Sequence, residues 1–258
     1  MGKRLDIVLT EKYEVKSRTK AQQLISDGLV FVNGNAVSKP SFEVGEDVVI
    51  KILKHDDYVS RGAYKLLGAI KSFGLDFTDK IVLDVGASTG GFTEVALENG
   101  AKKVYALDIG EGQLDKKLKL DNRVVDLSKT DIRYVEKEKI EDAEVIIGDL
   151  SFISLTKILP RIKEIFGDKK EIMFLFKPQF ECGKEIAKKY RGIIKNKEIH
   201  EKLLKNFENY VKNMKFSLSN LTFSPIKGGD GNIEYLVYLN GKEEKYDIKK
   251  VVEDGFKK

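Results

Sequence analysis

KIVLDVGASTGGFTE, residues 80–94, packs an apolar strand, a glycine-rich turn and a helix start into one short segment. Ile81, Val82, Leu83 and Val85 form a near-continuous aliphatic run, the pattern of a strand covered on both faces. Gly86, Gly90 and Gly91 let the backbone turn tightly and pass close to a ligand at the carboxyl edge of a sheet. The helix that opens at Phe92 then directs its free N–H groups at the same place.

Outward from this segment, strands and helices alternate. Upstream, a helix is expected over 61–73, with Leu66, Leu67, Ile70 and Phe73 inward and a stop at Gly74. Downstream, KVYALDIG (103–110), EVIIGDL (144–150) and EIMFLFKP (171–178) read as buried strands with helical sequence between them. A helix over 198–214 follows, then strands 217–223 and 233–239. The loop between these two strands is too short for a crossover helix, so they pair antiparallel. The expected fold is α/β, a Rossmann-like, mainly parallel sheet with an antiparallel final strand, as in S-adenosylmethionine (SAM)-dependent methyltransferases. Residues 241–258 are charged and suggest a loose helix.

Residues 1–57 carry a different pattern, a small α+β domain with its linker, leaving 58–258 for the larger domain. Leu5, Val8 and Leu9 give one helical stripe. Ser17 is placed to cap a second helix with Ala21, Leu24 and Ile25 inward and Gly28 at its end. LVFV (29–32), the turn Asn33-Gly34-Asn35 and Val37 form a hairpin, and 47–52 alternates as a further strand. Lys54-His55-Asp56-Asp57 is polar and marks the boundary.

The 258 residues are 41% hydrophobic and 34% charged, which describes a soluble chain with a core. The net charge is +5, and 39 of the 46 cations are lysine. One cysteine, Cys182, excludes an internal disulfide and a cysteine-built zinc site. Two histidines, His55 and His200, exclude a histidine-rich metal site, and no metal is expected. The first 18 residues are charged throughout, and the longest apolar run, Ile172 to Phe176, is far short of a membrane span. A cytoplasmic protein without a membrane partner is expected, with a monomer favoured.

The glycine turn lacks the G-x-G-x-x-G spacing of dinucleotide sites. Asp84 ahead of it, and Gly86, Ala87, Ser88, Thr89, Gly90, Gly91 and Phe92 along it, better suit SAM, which carries an ammonium and no pyrophosphate. Asp108, at the end of the second strand, is placed to bind a ribose diol, and Asp131, further along, to reach the adenine amino group. Four further ionisable residues recur at or beside the same edge. Lys65 lies in YVSRGAYKL, Asp149 in IIGDLSFISL, Lys177 in FLFKPQFE and Glu234 in KGGDGNIEYLVYL. A ribose hydroxyl is a poor nucleophile that must lose its proton to attack a sulfonium methyl. A lysine serves as base when burial and a nearby cation lower its pKa, and two lysines in one pocket meet that need.

These motifs resemble the TlyA family, also named hemolysin A, whose catalytic part is similar to the FtsJ-like ribose methyltransferases. The matching segments are RLDIVL, SRTKAQQLISDGLVFVNG, YVSRGAYKL, LDVGASTGGFTE, VYALDIGEGQL, DLSFISL, KPQFE and SPIKGGDGNIEYL, and they span nearly the whole chain. The resemblance implies an N-terminal alpha-L RNA-binding motif ahead of a methyltransferase. It implies a Lys-Asp-Lys-Glu tetrad on Lys65, Asp149, Lys177 and Glu234. It also implies 2′-O-methylation of cytidine in ribosomal RNA of the large subunit, and in some members of the small one. The short segment ahead of Leu5 points toward large-subunit-only members. GAYKL replaces the more usual GGLKL or GAHKL and keeps Lys65, whereas Asp131 stands where the family often has Asn.

Ribosomal RNA or a ribosomal subunit is thus the expected partner. Lys3, Arg4, Lys16, Arg18 and Lys20 surround the helix start at Ser17 and are candidate phosphate contacts, as is Arg61. Lys184, Lys188, Lys189 and Arg191 are candidates to line an RNA entry, the alternative being a solvated face, and Tyr64 and Phe180 either stack a flipped base or pack in the core. Residues 1–59 hold nine cations and nine acids, so net charge does not select RNA. The argument rests instead on the surplus of +3 in the first twenty residues. A non-catalytic ribosome-assembly protein is the alternative, against which the intact tetrad counts. A lytic toxin, suggested by the family's second name, lacks any apolar span or membrane helix in the sequence.

Overall fold

The computed structural model describes residues 2–13, 15–26, 28–37, 39–45, 47–52, 58–241 and 243–257. They form two compact units, one built on Met1–Asp57 with Pro225–Lys227, the other on Tyr58–Ser224 and Gly228–Lys257. The expected boundary at 54–57 lies outside the described residues.

The first unit runs β1 (Lys3–Arg4), α1 (Leu5–Lys12), α2 (Arg18–Ser26), β2 (Val30–Val32), β3 (Asn35–Ala36), β4 (Glu43–Val44) and β5 (Ile50–Ile52). Leu5, Val8 and Leu9 of α1 and Ala21, Leu24 and Ile25 of α2 are all buried, each set spaced i, i+3, i+4 on one helix face. The Ser17 hydroxyl accepts the Lys20 N–H (3.1 Å), capping α2. Asn33 and Gly34 both have positive φ, 49° and 78°, as a two-residue hairpin turn requires. β2 lies between β3 and β5 in an antiparallel sheet, and β1 pairs with β4 in a two-residue ladder. The strand expected over 47–52 contracts to 50–52. Val49 exchanges hydrogen bonds with Asn33, through its N–H to Oδ1 (2.9 Å) and its carbonyl from the Asn33 N–H (2.8 Å). The turn therefore takes over where the ladder would continue.

The second unit contains α3 (Gly62–Phe73), β6 (Ile81–Val85), α4 (Gly91–Glu98), β7 (Lys103–Leu107), α5 (Lys116–Lys119), β8 (Val124–Leu127), β9 (Val145–Gly148), α6 (Leu159–Phe166) and β10 (Glu171–Phe176). There follow α7 (Pro178–Glu181), α8 (Gly183–Lys189), α9 (Lys197–Asn213), β11 (Leu218–Phe223), β12 (Tyr235–Leu239) and α10 (Ile248–Lys257). The sheet has seven strands in the order β11-β12-β10-β9-β6-β7-β8. β12 is antiparallel to both of its neighbours, and β10-β9-β6-β7-β8 are mutually parallel. The expected mainly parallel sheet with an antiparallel final strand is the one found.

Alternate residues of β6 feed two cores. Val82 belongs to one with Leu66 and Phe73 of α3 and Val95 of α4; Leu83 and Val85 belong to the other with Ile162 of α6, Leu204 and Phe207 of α9, and Val252 of α10. One expectation fails between β7 and β9. The helical crossovers reduce to the four-residue α5 and a 3₁₀ turn at Lys137–Lys139. Ile132, Val135, Ile140 and Ala143 on an irregular path fill that part of the core instead.

Sheet polarity gathers the chemistry at one edge. β6, β7, β9 and β10 run in parallel and deliver Gly86, Asp108, Asp149 and Lys177 at their carboxyl ends. β12 runs the other way, so Glu234, just ahead of its first residue, reaches the same edge.

Buried His200 ties α9 to β12. Its Nε2 donates to the Ile194 carbonyl (2.9 Å), which leaves Nδ1 to accept from the Tyr235 hydroxyl (2.7 Å). Burial pushes its pKa down to about 4. The unfolded chain, with an ordinary histidine, binds a proton at pH 5 that the folded chain refuses, so stability falls as pH drops from the usual histidine range toward 4. This group should cost about 2 kcal/mol between pH 7 and 5. Thermal melts should show His200→Gln losing less on that step than wild type; equal losses would contradict the assignment.

Candidate active site

Lys65, Asp149, Lys177 and Glu234 converge in a cleft of about 590 Å³. α3 supplies Lys65 from its first turn, where the buried Ala63, Leu66 and Ala69 fix the helix against the sheet. Lys65 Nζ lies 2.9 Å from Asp149 Oδ2 and 2.7 Å from Glu234 Oε2. Lys177 Nζ lies 2.6 Å from Asp149 Oδ1 and donates to Ser151 Oγ at 2.9 Å. Asp149 is thus shared by two ammonium groups, and two cations meet two carboxylates. Lys65, Lys177 and Glu234 are all under 9% exposed. Charges taken this far out of water persist only when paired.

The electrostatics correct one expectation. Burial alone would lower the pKa of Lys65, but Asp149 and Glu234 outweigh it, and the ammonium is held above its ordinary range. Burial likewise raises Asp149, and Lys65 and Lys177 reverse this, leaving its carboxyl below the ordinary range. Lys65 is therefore a fixed cation in this structure, not the lowered lysine foreseen from two neighbouring amines.

Gly86, Ala87, Ser88, Thr89, Gly91 and Phe92 line the cleft beside the tetrad. Gly86 and Gly90 have φ of +84° and +99°, and a Cβ at Gly91 would collide with the Ser60 hydroxyl. Glycine is required at these points for the loop to fold back under α4. Asp108 fastens the loop from β7, its Oδ2 accepting Ser88 N–H (2.8 Å) and its Oδ1 Gly110 N–H (2.7 Å). Each oxygen keeps a second lone pair, compatible with binding a diol. Asp84 is fully buried; Oδ2 accepts the Thr93 hydroxyl (2.7 Å), and Oδ1 has no hydrogen-bond partner among the described residues. Burial, with Asp149 and Asp108 nearby, pushes its pKa up to about 7 against the Thr93 bonds.

This donor set fits SAM. A buried acid with an unmet oxygen lies under the loop, and among the described residues the lysines lining the cleft, Lys65 and Lys177, already face carboxylates. A cationic amino-acid moiety suits such a lining better than a pyrophosphate does. Asp131 lies outside the cleft lining, and Arg133 grips both of its oxygens, with Nε 3.0 Å from each.

Tyr64 is buried and packs edge-on against Tyr58, the core-packing outcome of its two readings. Phe180 lines the cleft, and its ring lies 5.1 Å from that of Phe152. Phe152 is 91% exposed with φ of +63°, a left-handed conformation costly for a bulky residue. Sequence reasoning passed over it inside DLSFISL, as it did Ser151 and Glu181. The half-buried Glu181 carboxylate accepts Ser154 Oγ and Leu155 N–H (2.8 Å), joining the loops after β9 and β10. Of the candidate RNA contacts here, Lys184, Lys188, Lys189 and Arg191 are exposed on or after α8, whose Ala187 lines the cleft, and Arg61 is half-buried at the start of α3. In the first unit Lys3 pairs with Glu11, Arg4 and Arg18 with Asp6, and Lys16 and Lys20 are exposed. Among the described residues no group of three metal-ligating side chains converges, and no helix is long and apolar enough to cross a membrane.

Residues 58–241 match the family model of FtsJ-like methyltransferases, and residues 3–50 that of the S4 domain. The chain is 43% identical to hemolysin A of Brachyspira hyodysenteriae, over 92% of this chain and 99% of that one. It is 36% identical to the 23S rRNA (cytidine-2′-O)-methyltransferase TlyA of Campylobacter jejuni, over 91% and 98%. A solved structure from Streptococcus thermophilus superposes with a TM-score of 0.73, covering 99% of this chain and 96% of its own at 38% identity.

Removing the shared carboxylate tests the charge balance directly. Asp149→Asn leaves two buried ammoniums facing one acid, a loss of about 3 kcal/mol. Melting should fall at pH 7 and recover relative to wild type above pH 10, where lysines discharge. A deficit that does not shrink at high pH would contradict the pairing.

Proposed function

Because the chain belongs to the FtsJ-like methyltransferase family, with an S4 domain ahead of the catalytic unit as in the TlyA and hemolysin A proteins, we propose that it methylates the 2′-hydroxyl of cytidine in ribosomal RNA. The large subunit is the favoured substrate. The observation that carries this reading is the Lys65-Asp149-Lys177-Glu234 cluster at the carboxyl edge, beside a glycine loop suited to SAM.

SAM supplies the methyl group on a sulfonium that needs no metal. Asp84, the 86–92 loop and Asp108 would hold its amino-acid and ribose parts; Asp131 remains a candidate adenine contact on condition that Arg133 releases it. Lys65, fixed by two carboxylates, donates a hydrogen bond to the ribose oxygen and orients it. Lys177 shares only Asp149 and is the residue that takes the hydroxyl proton. Asp149 and Glu234 hold the two nitrogens in place, so the remaining contribution is the alignment of hydroxyl and methyl. Phe152 and Phe180 offer adjoining rings at the mouth for a base turned out of its helix, and Lys184, Lys188 and Lys189 offer charge to the phosphates beside it.

Lys177→Ala and Lys177→Arg separate a base from a mere positive charge. Methyl transfer from tritiated SAM to ribosomal subunits should fall by roughly 10²–10⁴-fold in both, because arginine keeps the charge but does not give up its proton. Calorimetry should show SAM binding retained. Activity near wild type in the arginine variant would sink the role of Lys177.

A further inference from the structure

Four donors converge on one buried acid in the S4 unit. Asp6, 0% exposed at the start of α1, accepts Arg4 Nε (3.0 Å) and Nη2 (2.9 Å), Arg18 Nε (3.0 Å) and Gln22 Nε2 (2.9 Å). The bonds from Arg4, Gln22 and Arg18 outweigh burial and hold its carboxyl far below the ordinary range, so it is ionised throughout the useful pH range. The two arginines come from separate elements, β1 and α2, and their side chains remain 39% and 53% exposed. Arg4 Nη2 and Arg18 Nε share a single oxygen, Oδ2, which keeps these nitrogens within about 6 Å of each other.

A guanidinium carries five N–H groups. Arg4 gives two to Asp6 and Arg18 gives one, and among the described residues the others make no further bond. Two guanidinium forks are thus pinned from inside and open outside, with a charge of +1 left for the trio. The choice of residue is informative: this chain uses lysine for 39 of its 46 cations, yet arginine stands at both positions that touch Asp6. Lysine would supply the same charge but not a planar fork that binds a carboxylate on one edge and a phosphate on the other.

We infer that Asp6 is a positioning residue, which presets Arg4 and Arg18 as a paired phosphate clamp for the RNA backbone. The inference rests on the reading of the chain as an RNA-directed enzyme and assigns how its first unit holds that RNA. A free arginine loses rotamer entropy when it binds a phosphate, whereas one already fixed by Asp6 loses it during folding. The acid therefore strengthens anion binding although it subtracts charge, which reverses the sign that charge counting gives.

The test is binding of the full chain to a fluorescein-labelled RNA hairpin, by anisotropy across a salt series, with melting curves to confirm folding. Asp6→Asn raises the net charge by one, so simple electrostatics calls for tighter binding, whereas the clamp calls for binding about 5- to 10-fold weaker. Arg18→Lys keeps both charge and acid; the clamp calls for about 5-fold weaker binding and a salt slope shallower by about one. If Asp6→Asn binds as tightly as wild type or tighter, or if Arg18→Lys matches wild type in affinity and slope, the clamp is refuted. Methyl transfer by wild type to ribosomal subunits, measured alongside, shows whether such a failure extends to the enzyme reading. A wild type that methylates subunits while its variants follow charge counting overturns the clamp alone.

Discussion

One carboxylate between two buried ammoniums sets the terms for the catalytic unit. Lys65 and Lys177 enter the cleft from opposite parts of the fold, a helix on one face of the sheet and the end of β10, and both are buried there. Asp149 serves both, one oxygen to each, and Glu234 completes the balance from the far side of Lys65. The arrangement demands that three strand ends and one helix stop within a few ångströms of a common point. The aliphatic strands, buried on both faces, hold them there. Reversal of β12 is part of the same constraint, because only an antiparallel strand begins where the parallel ones end.

In the proposed reaction the pairing would also divide labour between two residues of one type. Lys65 faces two acids and is held charged; Lys177 faces one acid and a serine hydroxyl. The same use of acids to organise cations recurs in the S4 unit, where Asp6 holds Arg4 and Arg18. There the cations stay half in water, and the acid contributes shape more than charge compensation.

Much of this was legible in the sequence because it rests on local chemistry. Gly86, Gly90 and Gly91 lie where positive φ or close approach excludes other residues, and the aliphatic run before them permits little but a buried strand. Lys65, Asp149, Lys177 and Glu234 are 169 residues apart end to end, yet each is an ionisable residue at the end of an apolar segment or inside one. What the sequence concealed depends on neighbours in space. The pKa of Lys65 turns on a second carboxylate that arrives from β12. Phe152 looks like a core residue until its backbone turns left-handed and presents the ring to solvent. The missing helices between β7 and β9 follow from Ile132, Val135, Ile140 and Ala143, which fill the core without helical spacing.

The central claim is that this cleft delivers a methyl group to a ribose hydroxyl of ribosomal RNA. Mapping of 2′-O-methylated nucleotides across the 16S and 23S rRNAs, in cells with the gene, without it and complemented with it, tests this most directly. The account predicts at least one cytidine in 23S rRNA whose 2′-O-methyl mark disappears on deletion and returns on complementation. Identical methylation maps in the three strains would contradict it.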